Sequence, residues 1–316
     1  MPDDGPVAFF GLPGVGSLAS VAPERATVVQ SFYPDHDAWA ARGVAVHSDA
    51  EGPFAASIVT LPRARDWAEA LLAKAEAATP GGLVIIDGAK TDGVDAILKA
   101  LRTRVALEGP VSKAHGKVAW FRAADALTDW ARPAMHQNAA GDWVAPGVFS
   151  ADGADPGSQA LAAALPASLK GVVADLGAGW GWLSREILKR PGVAHLFMVE
   201  AEGRALACAG RNVDDPRAAP VWADATWWMP PEQVDTVIMN PPFHTGRQAD
   251  PSLGRAFIAA AAGMLKPSGS LWLVANRHLP YEAELTTRFA KLTTAETTAR
   301  FKILHATRPL RAKRRP

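Results

Sequence analysis

The segment Asp175-Leu176-Gly177-Ala178-Gly179-Trp180-Gly181, which closes an apolar run beginning at Val172, constrains the fold more than any other part of this 316-residue chain. Three glycines at alternate positions after an apolar strand mark a backbone that turns sharply, comes close to a ligand and then opens a helix. Turns of this kind lie at the carboxyl ends of strands in open α/β sheets, where ligands bind. Further apolar runs follow at His195 to Glu200, Ala219 to Ala223, Thr236 to Asn240 and Ser270 to Ala275, with helix-length stretches between them. Runs without polar alternation fit strands covered by helices on both faces, so the pattern predicts a doubly wound, mostly parallel sheet.

The first half repeats that order more quietly. Ser57 to Pro62 reads as a strand and proline turn, Ala64 to Ala78 as a helix, Pro80-Gly81-Gly82 as a turn and Leu83 to Ile86 as a strand. The second half runs Thr236 to Pro242, a helix, Pro267-Ser268-Gly269 and Leu271 to Val274 in the same order. A recurring unit of this size implies a duplicated domain, and the chain is longer than one hydrophobic core usually organises. The boundary is expected in the Gly-, Pro-, Asn- and Asp-rich stretch from Arg132 to Pro156, giving domains 1–131 and 132–316. Within the first, Gly11-Leu12-Pro13-Gly14-Val15-Gly16 follows two phenylalanines and leads into no clear amphipathic helix, so it reads as a turn.

The chemistry of the glycine loop follows from what flanks it. A dinucleotide fingerprint would place Gly or Ala where Trp182 stands, and here an acid, Asp175, opens the loop. S-Adenosylmethionine fits better: it has no pyrophosphate, and its sulfonium and amino group favour a nearby carboxylate. The expected cofactor loop is Asp175, Gly177, Gly179 and Gly181. Glu200, ending the next strand, is placed to accept the ribose hydroxyls, and Asp224, ending the third, to meet the adenine amino group. Either acid alone is equally an ordinary strand-end or cap residue; at successive strand ends they build one nucleoside site.

Asn240-Pro241-Pro242-Phe243 closes the fourth strand at the same sheet edge. An exocyclic base nitrogen is a poor nucleophile because its lone pair is delocalised into the ring. If the Asn240 side-chain oxygen and the Pro241 carbonyl accept its two N–H groups, the nitrogen is held with its lone pair facing the methyl donor. The prolines restrict the backbone that aims the carbonyl, and Phe243 offers a ring on which an extruded base stacks. No strong general base is needed, so His244 is not assigned as a catalyst. A bare Asn-Pro-Pro is a common turn; the glycine loop and the two acids are what give it weight.

Composition narrows the remaining classes. A formal net charge of +1 argues against a protein that coats nucleic acid by bulk electrostatics. Local cations are available: Arg63, Arg65, Lys90, Arg102, Arg104, Lys113 and Lys117 in the first half could hold RNA phosphates, and Arg308, Arg311, Lys313, Arg314 and Arg315 cluster near the last residue. Cys208, the single cysteine, has no companions at metal-ligand spacing, so it reads as a small buried residue and no metal is expected. No apolar run reaches the ~18 residues of a membrane span and Met1-Pro2-Asp3-Asp4 is unlike a basic signal start, so the expectation is a cytoplasmic protein without a membrane partner, favoured as a monomer.

Asn240 to Gly246, with Pro146-Gly147-Val148-Phe149-Ser150 and Asp155-Pro156-Gly157-Ser158-Gln159 upstream, resembles the ribosomal RNA guanine-N2 methyltransferases, most of all the small-subunit methyltransferase C group. The resemblance is densest from Pro146 to Pro280 and is carried in the first half only by Asp87 to Gly93. It implies an α/β fold of two tandem Rossmann-like methyltransferase domains with a degenerate N-terminal one, S-adenosylmethionine as cofactor, and a guanine amino group of ribosomal RNA, on the small ribosomal subunit, as target. It carries the cofactor loop onto Asp175, Gly177, Gly179 and Gly181, the ribose acid onto Glu200 and the catalytic tetrapeptide onto Asn240 to Phe243, and it places Phe149 and Ser150 near the cofactor. Ala178 departs from the cysteine that family members often carry in the loop. Enzymes acting on large-subunit RNA look nearly the same here, so guanine or adenine amino methylation of large-subunit RNA stays open. So does methylation of a release-factor glutamine amide, although that family usually has Tyr after the prolines and a helical first domain. A non-enzymatic RNA-binding factor with an idle fold is disfavoured by Asn240 and the intact glycine loop.

Overall fold

A computed structural model of the chain describes residues 1–49, 52–242, 244–245, 248–249 and 251–310. The chain forms two compact units, Met1–His136 with Ala145–Gly147, and Gln137–Val144 with Val148–Pro316. None of its described helices is long and apolar enough to cross a membrane.

The first unit contains β1 (Val7–Phe10), β2 (Ala26–Val29), β3 (Ala45–His47), β4 (Ala56–Thr60), β5 (Leu83–Ala89), β6 (Glu108–Lys113) and β7 (Gly116–Arg122), in the sheet order β3-β2-β1-β4-β5-β7-β6. The first five are parallel, and β7 runs antiparallel to both β5 and β6. Its helices are α1 (Tyr33–Ala41), α2 (Arg65–Ala77) and α3 (Val94–Leu101). Successive β1 residues enter different cores: Ala8 and Phe10 join one apolar cluster, Val7 and Phe9 another. That alternation is the structural form of an unbroken apolar strand covered on both faces.

The second unit contains α4 (Pro156–Ala164), β8 (Gly171–Leu176), α5 (Trp182–Leu188), β9 (Val193–Glu200), α6 (Gly203–Asn212), β10 (Ala218–Trp222), β11 (Val234–Met239), α7 (Pro251–Met264), β12 (Leu265–Asn276), α8 (Tyr281–Arg288), β13 (Phe289–Thr297) and β14 (Phe301–Pro309). Its sheet order, β10-β9-β8-β11-β12-β14-β13, repeats that of the first unit strand for strand. The turn expected at Pro267-Ser268-Gly269 lies inside β12, where the register jumps from Val234–Leu265 to Thr236–Ser270. Cys208 is buried in α6, and burial pushes its thiol up to about 11, in keeping with a packing role.

The register shows where the two units correspond and where they differ. Phe10 pairs with Val29 and Val59 as Leu176 pairs with Val199 and Met239, so Thr60-Leu61-Pro62-Arg63 stands where the second unit has Asn240-Pro241-Pro242-Phe243. Gly11 N donates to Val29 O at 2.9 Å as Gly177 N does to Val199 O at 2.8 Å. Beyond Gly11 the units part. Only a short 3-10 turn, Pro23–Arg25, separates β1 from β2, so α5 has no counterpart. Gln30, at the position of Glu200, donates from Nε2 to Leu12 O at 3.2 Å, and Trp39 Nε1 points at the carbonyls of Leu12 and Pro13, 3.1 Å from each. The unit braces this segment with its own side chains.

One buried acid organises the far side of the same unit. Glu76, near the end of α2 and 3% exposed, accepts backbone N–H groups from Ala124 (3.2 Å), Ala126 (3.0 Å) and Leu127 (2.8 Å). Removing this acceptor strands several donors in an apolar setting, each costing about 1–3 kcal/mol. Glu76→Ala is therefore expected to destabilise the first unit by about 3 kcal/mol or more, and Glu76→Gln by clearly less, in urea unfolding followed by tryptophan fluorescence.

Candidate active site

Parallel register brings the expected site residues to one sheet edge. Leu176 is level with Val199 and Met239, and Glu200 with Trp222, so the glycine loop, Glu200, Asp224 and Asn240 all follow strand ends on the same side. Gly177, Gly179 and Gly181 have φ of +77°, +57° and +90°, the left-handed region that favours glycine. They differ in what surrounds them. A Cβ at Gly179 would meet nothing within 4 Å, and one at Gly177 nothing closer than 3.9 Å, one of those atoms being the Asn240 carbonyl oxygen. A Cβ at Gly181 would lie 2.9 Å from Val213 and 3.1 Å from Ala209. The first two glycines thus face open space where a ligand fits, and the third allows α5 to start against the end of α6.

Glu200 braces the loop from the neighbouring strand. Its Oε2 accepts from Gly179 N and its Oε1 from Glu202 N, both at 2.8 Å. Burial holds its carboxyl above the usual carboxylate range, the two backbone N–H groups offsetting only part of the rise. Each oxygen keeps acceptor capacity for a hydroxyl. Asp224 Oδ1 accepts from both N (2.8 Å) and Oγ1 (2.6 Å) of Thr226, a local turn that does not use Oδ2. Asp175 lies beneath the loop, fully buried; its Oδ2 accepts from Ser184 Oγ at 2.6 Å and its Oδ1 has no partner. The open faces of Gly177 and Gly179 leave room for a bound nucleoside above this buried acid.

Asn240 is the most constrained polar side chain at the edge. Its Nδ2 donates to Asp155 Oδ2 at 2.9 Å and to Ser158 Oγ at 2.8 Å. Both amide hydrogens are thereby engaged, which fixes the amide orientation and leaves Oδ1 as an acceptor. Asp155 is also the N-cap of α4, accepting from Ser158 N at 2.9 Å with Pro156 in the first helical position. Asp155-Pro156-Gly157-Ser158 can be read from sequence as a helix start, but nothing in the sequence ties it to a residue 85 positions away. Pro241 is buried and Pro242 exposed; Phe243 lies outside the described residues, and only the backbone of His244 is described.

The cleft at this edge is lined by Phe149, Ser150, Ser158, Gly177, Gly179 and Asn240, among others. Phe149 is 67% exposed and its carbonyl accepts from Trp180 Nε1 at 3.1 Å. Ser150 holds φ at +53° and donates from Oγ to Gly153 O at 2.7 Å, a strained turn of the sort concentrated at binding sites. Of the sequence-predicted residues, Phe149, Gly177, Gly179 and Asn240 line the cleft, while Glu200 supports it and Asp175 and Gly181 lie behind the loop. Among the described residues no cluster of three or more His, Cys, Asp or Glu side chains could hold a metal ion.

Fold and cleft together define a Rossmann-like α/β protein with a nucleoside-type site at the carboxyl edge of its second sheet. Residues 143–305 match the family model described as Methyltransferase small domain, and the chain belongs to that family. Among curated proteins it is similar to the Ribosomal RNA large subunit methyltransferase G of Shewanella amazonensis, 34% identical over 165 residues, 50% of this chain and 43% of that protein. It is also similar to the Ribosomal RNA small subunit methyltransferase C of Hahella chejuensis, 34% identical over 164 residues, 52% and 48% of the two chains. These matches span about half the length of either relative. A solved T. Thermophilus 16S rRNA N2 G1207 methyltransferase, in complex with AdoMet and guanosine, shares the two-unit fold with TM-score 0.81 and 24% identity over 98% of this chain and 89% of that one.

The buried acid beneath the loop makes a pH prediction. Burial raises the Asp175 carboxyl from 3.8 to about 7, Ser184 pulling it down and Glu200 adding to the rise. The folded protein therefore keeps a proton that the unfolded chain releases near pH 4, and this advantage is lost as pH rises through about 7. Asp175→Asn should stabilise the protein relative to the parent by an amount that grows between pH 5 and pH 8, on the order of 4 kcal/mol at most. Denaturant melts across that range check it.

Proposed function

We propose that this protein is an S-adenosylmethionine-dependent methyltransferase acting on the exocyclic N2 amino group of a guanine in ribosomal RNA. The observation that carries this reading is the Asn240 amide, whose nitrogen is held by Asp155 and Ser158 so that its oxygen is free to accept from an amine. The cofactor, when bound, supplies a methyl group on a positively charged sulfur. The open faces of Gly177 and Gly179 would receive it, with Glu200 toward the ribose, Asp224 toward the adenine, and Asp175 and Phe149 flanking the loop. Asn240 Oδ1 and the Pro241 carbonyl would each accept one N–H of the target amine and orient its lone pair, while Phe243 would stack on the extruded base. Positioning of this kind needs no dedicated base, because the methylated amine readily loses a proton to water.

The relatives named small subunit methyltransferase C support 16S RNA and the small ribosomal subunit as partner, and the T. Thermophilus protein is named for N2 of a 16S guanine. A large-subunit target is the second reading, favoured by the likeness to methyltransferase G. The division of labour belongs to the same proposal: 132–316 performs the chemistry, and 1–131 is a degenerate methyltransferase-like domain that supports RNA binding. In that domain Arg65, Arg104 and Lys117 are paired with Glu69, Asp129 and Asp95. Such surface pairs are weak and do not withdraw the cations from RNA. A monomer in the cytoplasm, without a membrane partner, completes the reading.

Incubation with labelled S-adenosylmethionine and, in turn, small subunits, large subunits, DNA and release factor tests the substrate class. Label on small-subunit RNA, mapped to guanine N2, is the expected result; label on the release factor alone would refute it. Asn240→Ala should lower turnover by about a hundredfold or more, as loss of a transition-state hydrogen-bond partner does, with cofactor affinity nearly unchanged. Calorimetry should find one cofactor per chain, weakened by Glu200→Ala; two per chain would mean the first unit has kept a site.

A further inference from the structure

A second concave surface of the second unit lies between the end of β12 and the start of β14, lined by Asn276, Arg277, His278, Ala299 and Arg300. Its two walls are fixed to each other. Arg277 N donates to Arg300 O at 2.9 Å, and Asn276 pairs with Phe301 across the strands. Thr298 closes the turn, its Oγ1 accepting from Phe301 N at 2.9 Å and from Arg300 N at 3.3 Å. Arg277, His278 and Arg300 are all exposed, and among the described residues no carboxylate lines the groove. The Arg300 guanidinium lies 5.4 Å from the Phe301 ring centroid, and among the described residues neither arginine has an ion-pair partner. The neighbouring Lys302 shows the contrast: its amine turns inward, onto Leu279 O at 2.7 Å and Glu282 at 2.6 Å. This corner keeps one cation for its own packing and presents the others to solvent.

The groove opens at the same sheet edge as Asn240. Met239 pairs with Leu273 on the adjacent strand, so Asn240 is level with Val274 and Arg277 stands three residues further out. At ~3.3 Å rise per residue and ~4.8 Å between strands, the two backbones are roughly 11 Å apart. That span is comparable to the distance from a base edge, across its sugar, to the phosphates of the strand. We propose that Arg277 and Arg300, with His278 beside them, bind a phosphate of the RNA strand whose base is presented to Asn240; this rests on the RNA methylation proposed above. Guanidinium forks match phosphate oxygens in pairs, and contacts of this kind set position without reading sequence. A base drawn out of its stack needs its backbone held on the flank, and this groove supplies that hold.

The test uses the full chain, a fluorescein-labelled single-stranded RNA oligonucleotide read by anisotropy over a salt series, and calorimetry with S-adenosylmethionine. R277A/R300A should weaken RNA binding by about tenfold or more and reduce the slope of log affinity against log salt by about 1, with cofactor affinity unchanged. R277K/R300K, which keeps the charge, should retain most of the slope and guards against a folding defect in the alanine variant. With ribosomal substrate, the alanine variant should raise KM more than it lowers kcat. Unchanged RNA affinity and salt slope in R277A/R300A, in a parent protein that does bind and methylate RNA, would overturn the groove and leave the function standing. A parent that binds no RNA and methylates another acceptor would overturn both.

Discussion

The site depends on the register of β8. Because Leu176 lies level with Val199 on one side and Met239 on the other, the strand ends reach the same height. The residues that follow them then meet in one place. A slip of one residue on either side would turn the side chains of a strand to the opposite face and take Glu200 from under the loop or Asn240 from the cleft. The register is secured by apolar residues that alternate between two cores, Ala174 and Leu176 packing on one face and Val173 on the other. Burial on both faces of the sheet thus determines where the polar groups at its rim can stand.

The same strand order serves two purposes in this chain. In the second unit the first loop stays open over Gly177 and Gly179, and the carboxylate at the end of the neighbouring strand supports it. In the first unit a glutamine replaces that carboxylate and, with Trp39, hydrogen-bonds directly to the carbonyls of the loop. Loss of the intervening helix removes the N–H groups that would face a ligand. The first unit shares the two-faced core of the fold, while ordinary side-chain packing occupies the segment after β1.

Much of this was legible in the sequence because the informative signals are local. The apolar runs of the second half gave strands within a few residues of their observed ends, and the glycine loop and Asn-Pro-Pro motif fell at strand ends as expected. The duplication could be read from order alone, and the register places Thr60 opposite the role of Asn240. Not legible were the antiparallel strands β13 and β14, the first of them mostly exposed and without an apolar run, and three non-local facts: that Asp155 and Ser158 hold the Asn240 amide, that Asp175 is buried under the loop, and that Arg277 and Arg300 meet across a turn. Each depends on pairing between segments distant in the chain, which composition and spacing do not encode. The start of β12 has the sequence signature of a plain turn because a register jump inside a strand carries the same Pro and Gly content as a loop.

Asp155 joins two events that are usually separate. One of its oxygens caps the first turn of α4 and also holds the nitrogen of Asn240. The amide that faces the cleft is therefore oriented only while that turn is formed. Helix ends are the first parts of a helix to fray, on a scale far below global unfolding. When this turn opens, Asn240 loses the contacts that distinguish its oxygen from its nitrogen, and a half-rotation of the amide would put Nδ2 where Oδ1 now stands. The orientation of the amide at the cleft thus depends on the integrity of one helical turn as well as on the register of the sheet.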